Sequence, residues 1–132
     1  MYGDKVDTLY VMQRDMDLIR QILFKMEDHS GGFAPRDFEI EGDHTAAQVG
    51  YHVWLLGDAG LMKVTDVTSL CSDAPQAMPV NLTWEGHDFI AAARNDTIWS
   101  HAKEKAKSVG GSLSLAAFKQ LLDSLVKHQL GI

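Results

Sequence analysis

Six histidines and one cysteine are the side chains of this sequence best suited to bind a metal ion. The histidines are His29, His44, His52, His87, His101 and His128. No two of them have the His-x-x-x-His spacing that places two imidazoles on one side of a helix, and a lone cysteine rarely supports a structural zinc site. The sequence therefore predicts no metal site.

Candidate catalytic side chains are equally sparse. Cys71 lies in a Ser/Asp/Pro-rich stretch with no histidine near it in the sequence. Glu85, His87 and Asp88 cluster at the predicted start of a helix, where acidic residues favour the helix dipole and need no acid–base role. Neither glycine pair of the chain stands in a phosphate-binding loop pattern. We therefore expect no catalytic residue, no cofactor and no enzyme activity.

Composition and charge define the class of protein. The chain has 132 residues, 45% hydrophobic and 23% charged, which is typical of one soluble globular domain. The absence of an apolar run of about 18 residues, of a signal peptide and of a second cysteine predicts a cytoplasmic protein with no membrane contact. Residues 1–66 carry six Lys/Arg and twelve Asp/Glu, whereas residues 67–132 carry six of each. This acidic first half disfavours nucleic-acid binding.

Apolar residues at three- and four-residue spacing predict five helices. The predicted ranges are 14–29, 45–58, 84–94, 98–107 and 114–130. Asp15 or Asp17 is expected to cap the first helix and Thr83 to cap the third. The three tryptophans, Trp54, Trp84 and Trp99, are expected in the core.

Alternating apolar and polar residues predict three short strands, at 33–41, 63–70 and 80–82, with a loop over 71–79. A hairpin directly behind a helix is the arrangement of a winged helix. The predicted fold is α+β and mostly α, with a winged helix-turn-helix-like core, a small antiparallel hairpin and a C-terminal helical extension. We interpret residues 1–13 as an N-terminal extension, 14–108 as the winged-helix-like domain and 109–132 as the C-terminal amphipathic helix.

Three segments together carry a resemblance to a known family. They are Arg14-Asp-Met-Asp-Leu-Ile-Arg20, Tyr51-His-Val-Trp-Leu-Leu-Gly-Asp-Ala-Gly-Leu61, and Leu82-Thr-Trp-Glu-Gly-His-Asp-Phe89 with Asp96-Thr-Ile-Trp99 behind it. In these segments the chain resembles the DUF2513 family of uncharacterised bacterial and prophage proteins. More distantly, the Leu-Leu-x-x-Ala-Gly-Leu end of a helix, followed by a hairpin and Leu-Thr-x-x-Gly, is similar to winged-helix transcription regulators. The resemblance bears on the fold and implies no particular activity.

A nucleic acid or a protein partner would contact outward polar side chains. The candidates are Gln48, His52, Lys63, Lys103, Lys105 and Lys107. Gln48 and His52 are predicted to face outward from the helix 45–58, which contains no lysine or arginine. Residues 36–66 contain two basic and six acidic side chains, so their charge opposes phosphate contact.

The last helix has the widest apolar stripe of the chain. A candidate oligomer interface on it comprises Leu115, Phe118, Leu122 and Leu125. The stripe either folds back on the chain's own core or pairs with a second copy under two-fold symmetry, and both alternatives stay open at this point.

These observations predict a non-enzymatic binding protein of bacterial or prophage origin. The first hypothesis is a winged-helix scaffold for protein–protein interaction, with another protein or a second copy as its partner. The alternative is a DNA-binding transcriptional regulator, which the acidic charge disfavours.

Overall fold

The structure is a computed structural model that describes residues 13–29, 31–36, 38–109 and 113–131. Within these ranges the chain forms five helices and one two-stranded antiparallel sheet. In chain order the elements are α1 (Met16–Asp28), α2 (Ala46–Asp58), β1 (Met62–Asp66), β2 (Ala77–Leu82), α3 (Trp84–Ala93), α4 (Asp96–Ser108) and α5 (Leu115–Leu130). The fold is α+β and mostly α-helical, as the sequence predicts.

Each helix begins where a short polar side chain accepts a hydrogen bond from a backbone N–H of the first turn. Asp15 caps α1, accepting from the N–H groups of Asp17 and Leu18. The Thr83 hydroxyl accepts from the Gly86 N–H at 3.0 Å at the start of α3. Caps of this kind satisfy donors that have no partner inside the helix. The remaining helices begin in the same way, with caps at Thr45, Asn95 and Ser114.

In the hairpin, β1 is shorter than the sequence predicts and β2 is longer. β1 ends at Asp66 because the Thr68 N–H turns back to the Asp66 carboxylate at 2.9 Å. β2 begins at Ala77 and not at residue 80. The predicted loop over 71–79 therefore ends too late, and the predicted return strand over 80–82 begins too late. Val64 pairs with Pro79 and Lys63 with Asn81, which leaves Val80 between them as a β-bulge.

The strand predicted over residues 33–41 is wrong, because the described part of this segment is irregular. Its link to the hairpin is one backbone hydrogen bond, from the Ala34 N–H to the Val80 carbonyl at 2.9 Å. Pro35 has no N–H to continue such a ladder. Phe38 and Ile40 are nevertheless half-buried and pack against the core.

One hydrophobic core joins all five helices to the hairpin. Three aromatic rings connect its C-terminal half: Trp99 of α4 lies edge-on to Phe89 of α3 at 6.3 Å and to Phe118 of α5 at 5.2 Å between ring centroids. The other large side chains that are fully buried are Leu18, Ile19, Ile22, Leu23, Val53, Leu56, Ile90 and Leu122. α5 therefore packs on the same core as the helices before it.

α3 approaches the turn before β1 so closely that only glycine fits at position 86. A Cβ atom there would lie 2.0 Å from the Leu61 carbonyl oxygen, a backbone atom that cannot move aside alone. We expect Gly86→Ala to lower the free energy of unfolding by about 1–3 kcal/mol, the usual cost of overpacking. Urea denaturation followed by circular dichroism would measure it, with the exposed Ser100→Ala on α4 as the control. An increase in stability, as helix propensity alone would give, would contradict this packing.

Two predicted features fall wholly or mostly outside the described residues. They are the N-terminal extension over residues 1–13, of which the structure describes residue 13, and the glycine pair Gly110-Gly111. The proposed domain boundaries at 13/14 and 108/109 therefore stay predictions.

Candidate functional site

The outward side of α2 is aromatic and carries no cation. Ala47, Tyr51, Trp54 and Asp58 follow one another at the spacing that puts residues on one side of a helix. The rings of Tyr51 and Trp54 are stacked, with centroids 6.4 Å apart and planes 6° apart. Both side chains are half-buried, so part of each ring meets solvent.

The hairpin packs directly against this part of α2. A Cβ atom at Gly57 would lie 2.5 Å from Cγ2 of Val64, and one at Gly50 would lie 2.1 Å from Oε1 of Gln76. Nε2 of Gln76 also donates a hydrogen bond to the Ala47 carbonyl oxygen at 2.9 Å. The two glycines and this hydrogen bond fix the hairpin against the helix.

Asp66, the last residue of β1, completes this surface. Thr68 lowers the pKa of Asp66, through its side chain and through its backbone N–H, which donates to the carboxylate at 2.9 Å; the nearby Trp54 side chain adds to the effect, and desolvation only partly opposes it. The carboxylate is therefore charged and lies near the Trp54 side chain. We call the surface formed by Ala47, Tyr51, Trp54, Asp58 and Asp66 the α2–hairpin face.

Gln48 is predicted to contact a partner, but in the structure its side chain forms a hydrogen bond at the start of α2. Its side-chain carbonyl accepts from the Thr45 N–H at 2.8 Å, and its own N–H donates to the Thr45 hydroxyl at 3.1 Å. This reciprocal pair is a capping box, which satisfies two backbone donors at a helix start.

His52 is buried, and the prediction that it faces outward is wrong. Its side chain is 2% exposed. Nε2 accepts a hydrogen bond from the Asp15 N–H at 2.8 Å, so Nδ1 carries the proton and donates to the Gln48 carbonyl oxygen at 2.7 Å. Burial lowers the pKa of His52, an effect that the hydrogen bond to Gln48 and the charge of Asp15 only partly oppose. His52 therefore joins α2 to the N-cap of α1 as a neutral imidazole.

The predicted basic cluster on α4 does not form one cationic surface. Nζ of Lys103 lies 2.9 Å from both carboxylate oxygens of Asp17, which also accepts from the Trp99 indole at 2.8 Å. Burial raises the pKa of Asp17, but these hydrogen bonds and the nearby charges outweigh it, so the net pKa is lowered. Lys105 and Lys107 are exposed. Because residues two apart on a helix face different directions, Lys105 points away from the side that Lys103 and Lys107 share.

Lys63 is exposed on β1, on the opposite face of the hairpin from α2. Val64 contacts Gly57 of α2, and neighbouring residues of a strand alternate between its two faces. Lys63 therefore contributes no positive charge to the α2–hairpin face.

Three of the four residues predicted to form an oligomer interface lie in the chain's own core. Leu115, Phe118 and Leu122 are each at most 7% exposed, whereas Leu125 is half-buried. The first three are covered by the chain itself, so in this fold they cannot contact a second copy. This corrects the interface prediction for those residues.

Other surface features of the described residues do not converge on a reactive centre. Cys71 is exposed in the hairpin loop, and Trp84, predicted in the core, is 79% exposed at the first position of α3. A pocket of about 270 Å³ lies where residues 38–40 meet the first turn of α2. No group of three or more His, Cys, Asp or Glu side chains within the described ranges could hold a metal ion.

Comparison with known proteins places the sequence in a family. Residues 13–112 match the family described as "Hypothetical protein (DUF2513)". The chain belongs to the DUF2513 family. This DUF2513 chain is also 38% identical, over 122 residues, to an uncharacterised protein of Haemophilus influenzae strain Rd. The alignment covers 90% of the chain and 99% of the relative.

No solved structure matches this DUF2513 chain. In the part of the chain that the structure describes, no helix has both the length and the apolar composition needed to cross a bilayer.

Proposed function

We propose that this DUF2513 chain is a protein-interaction module without catalytic activity, and that its partner binds the α2–hairpin face. The proposal includes a winged-helix-type arrangement, in which α2 and the hairpin stand in the positions of recognition helix and wing. The order of α2, hairpin and α3 supports this comparison. A cytoplasmic location is also part of the proposal, and the lone Cys71 favours it.

The observation that carries the proposal is the chemistry of the outward side of α2. A helix that reads DNA presents Arg, Lys, Asn or Gln to the bases. Here the corresponding side presents Tyr51 and Trp54, and Asp58 is the one charged residue of α2. Tyrosine and tryptophan are enriched where proteins bind one another, because they provide a large apolar area together with a polar group.

Site-specific photo-crosslinking would test this surface. We expect Tyr51→p-benzoylphenylalanine to form a discrete covalent adduct with another protein when cells that naturally express the chain are irradiated. The matched control carries the same photoreactive residue in place of Ser100, which is exposed on α4. Equal adduct yields from the two positions would contradict a partner at the α2–hairpin face.

The DNA-binding alternative makes a different prediction. If the chain contacts phosphates, random duplex DNA should raise its fluorescence anisotropy at low salt, and the affinity should fall steeply as salt increases. Loss of this binding in a Lys105→Ala, Lys107→Ala variant would favour a regulator over a protein-interaction module.

A further inference from the structure

Within α2 and the hairpin, the charged side chains of the α2–hairpin face are both acidic. Asp58 is exposed at the end of α2, and Asp66 is exposed at the end of β1. α2 contains no lysine or arginine, and Lys63, the one cation of the hairpin, lies on the opposite face of the strand. A partner that covers this face must therefore neutralise two carboxylates or leave them without a counter-charge, which is costly once water is excluded.

The aromatic pair, Tyr51 and Trp54, also favours a positively charged ligand. The faces of tyrosine and tryptophan rings attract cations, and arginine also stacks on them through its planar guanidinium group. Tyr51 and Trp54 lie with their ring planes parallel and their centroids 6.4 Å apart, so the two aromatic rings lie side by side on this face. The aromatic rings and the carboxylates therefore select for the same positive charge.

The hairpin loop that follows Asp66 exposes apolar side chains to solvent. Val67 directly follows Asp66 and is 45% exposed, and Leu70 is fully exposed near the tip of the loop. Aliphatic groups of a ligand would bury this surface at the same time as its cations meet the carboxylates.

We propose that the α2–hairpin face binds a basic segment of another protein, in which arginine or lysine side chains are interspersed with aliphatic ones. This inference rests on the proposed function and specifies the chemistry of the partner. Tyr51 and Trp54 contact the cationic side chains, Asp58 and Asp66 pair with them, and the loop apolar residues receive the aliphatic groups. A phosphate-bearing partner is disfavoured because the same carboxylates repel it.

Selection from a displayed random peptide library tests the class of partner. The folded full chain is immobilised, and a second selection uses an Asp58→Asn, Asp66→Asn variant, in which both side chains keep their shape and lose their charge. We expect the wild type to enrich peptides rich in arginine or lysine with aliphatic neighbours. A synthetic copy of the most enriched peptide should bind the variant about tenfold more weakly, since two exposed charge pairs are lost together.

A matched control and two opposing outcomes complete the test. Asp88→Asn removes an exposed carboxylate of α3, outside this face, and should leave the peptide affinity unchanged. Enrichment of neutral or acidic peptides that bind at Tyr51 and Trp54 would contradict a basic partner. It would not contradict the proposed protein-interaction function. Enrichment that does not depend on Tyr51, Trp54, Asp58 or Asp66 would overturn both.

Discussion

Phe118→Ala is expected to lower the free energy of unfolding by about 3–5 kcal/mol, the usual cost of removing a fully buried phenylalanine. Phe118 is 1% exposed, and its ring packs edge-on against Trp99. The cavity left behind cannot close easily, because the indole of Trp99 is held by its hydrogen bond to Asp17. Urea denaturation followed by circular dichroism would measure the loss without depending on the fluorescence of Trp99.

A surface position on the same helix provides the control. Leu130 is 67% exposed at the end of α5, so Leu130→Ala should change the stability by no more than about 0.5 kcal/mol. Light scattering coupled to size-exclusion chromatography would give the molar mass of each variant. If Phe118→Ala changed the molar mass and left the unfolding free energy intact, the packing of α5 on its own core would be contradicted.

The helices were predictable because their signals are local. Thr83 and Asn95 are short polar residues placed directly before apolar periodicity, and a capping hydrogen bond spans only three residues of sequence. The apolar stripe of α5 was equally visible. The sequence could not show what covers this stripe, because packing against α4 and pairing with a second copy require the same pattern of Leu115, Phe118 and Leu122.

The segment 33–41 shows why the strand prediction failed. Alternation at Phe38 and Ile40 correctly predicts two side chains directed at the core. A strand also requires a partner edge, and that information is not local. Among the described residues of this segment, the backbone pairing with β2 is the hydrogen bond from the Ala34 N–H to the Val80 carbonyl, and Pro35 has no N–H with which to extend it.

The α2–hairpin face was only partly predictable. The helix containing Tyr51, Trp54 and Asp58 follows from periodicity, but the contact with Asp66 depends on how the hairpin folds over α2. The outward position predicted for His52 is wrong, although a polar side chain is in general costly to bury. His52 lies four residues before Leu56, on the buried side of the helix, and burial is tolerated because both ring nitrogens have partners.

His52→Ala is expected to lower the free energy of unfolding by about 2–4 kcal/mol at pH 8. The change removes a buried ring and leaves the Asp15 N–H, at the cap of α1, without its acceptor. The cost should shrink as the pH falls. Burial lowers the pKa of His52 in the folded chain below its ordinary value of 6.5, so the unfolded chain binds more protons in the interval between the two pKa values.

The direction of this pH dependence follows from linkage. The stabilisation that neutral His52 provides is complete above pH 6.5 and decreases as the pH falls below 6.5 toward the lowered pKa of the folded state. A protonated ring would present a donor at Nε2 to the Asp15 N–H, which is also a donor. Asp15 favours the protonated form and Arg14 and His44 oppose it, while burial remains the largest effect on the pKa.

Urea denaturation of the wild type and His52→Ala at several values between pH 8 and pH 5 would measure both effects in one series. The two stability curves should converge toward acid pH, because the wild type then loses the stabilisation by neutral His52, which the variant lacks at every pH. His87→Ala, at an exposed position of α3, should instead give a curve parallel to that of the wild type. Parallel curves for His52→Ala would mean that the imidazole titrates alike in the folded and unfolded chains, and that its burial between α1 and α2 exerts no net effect on its charge.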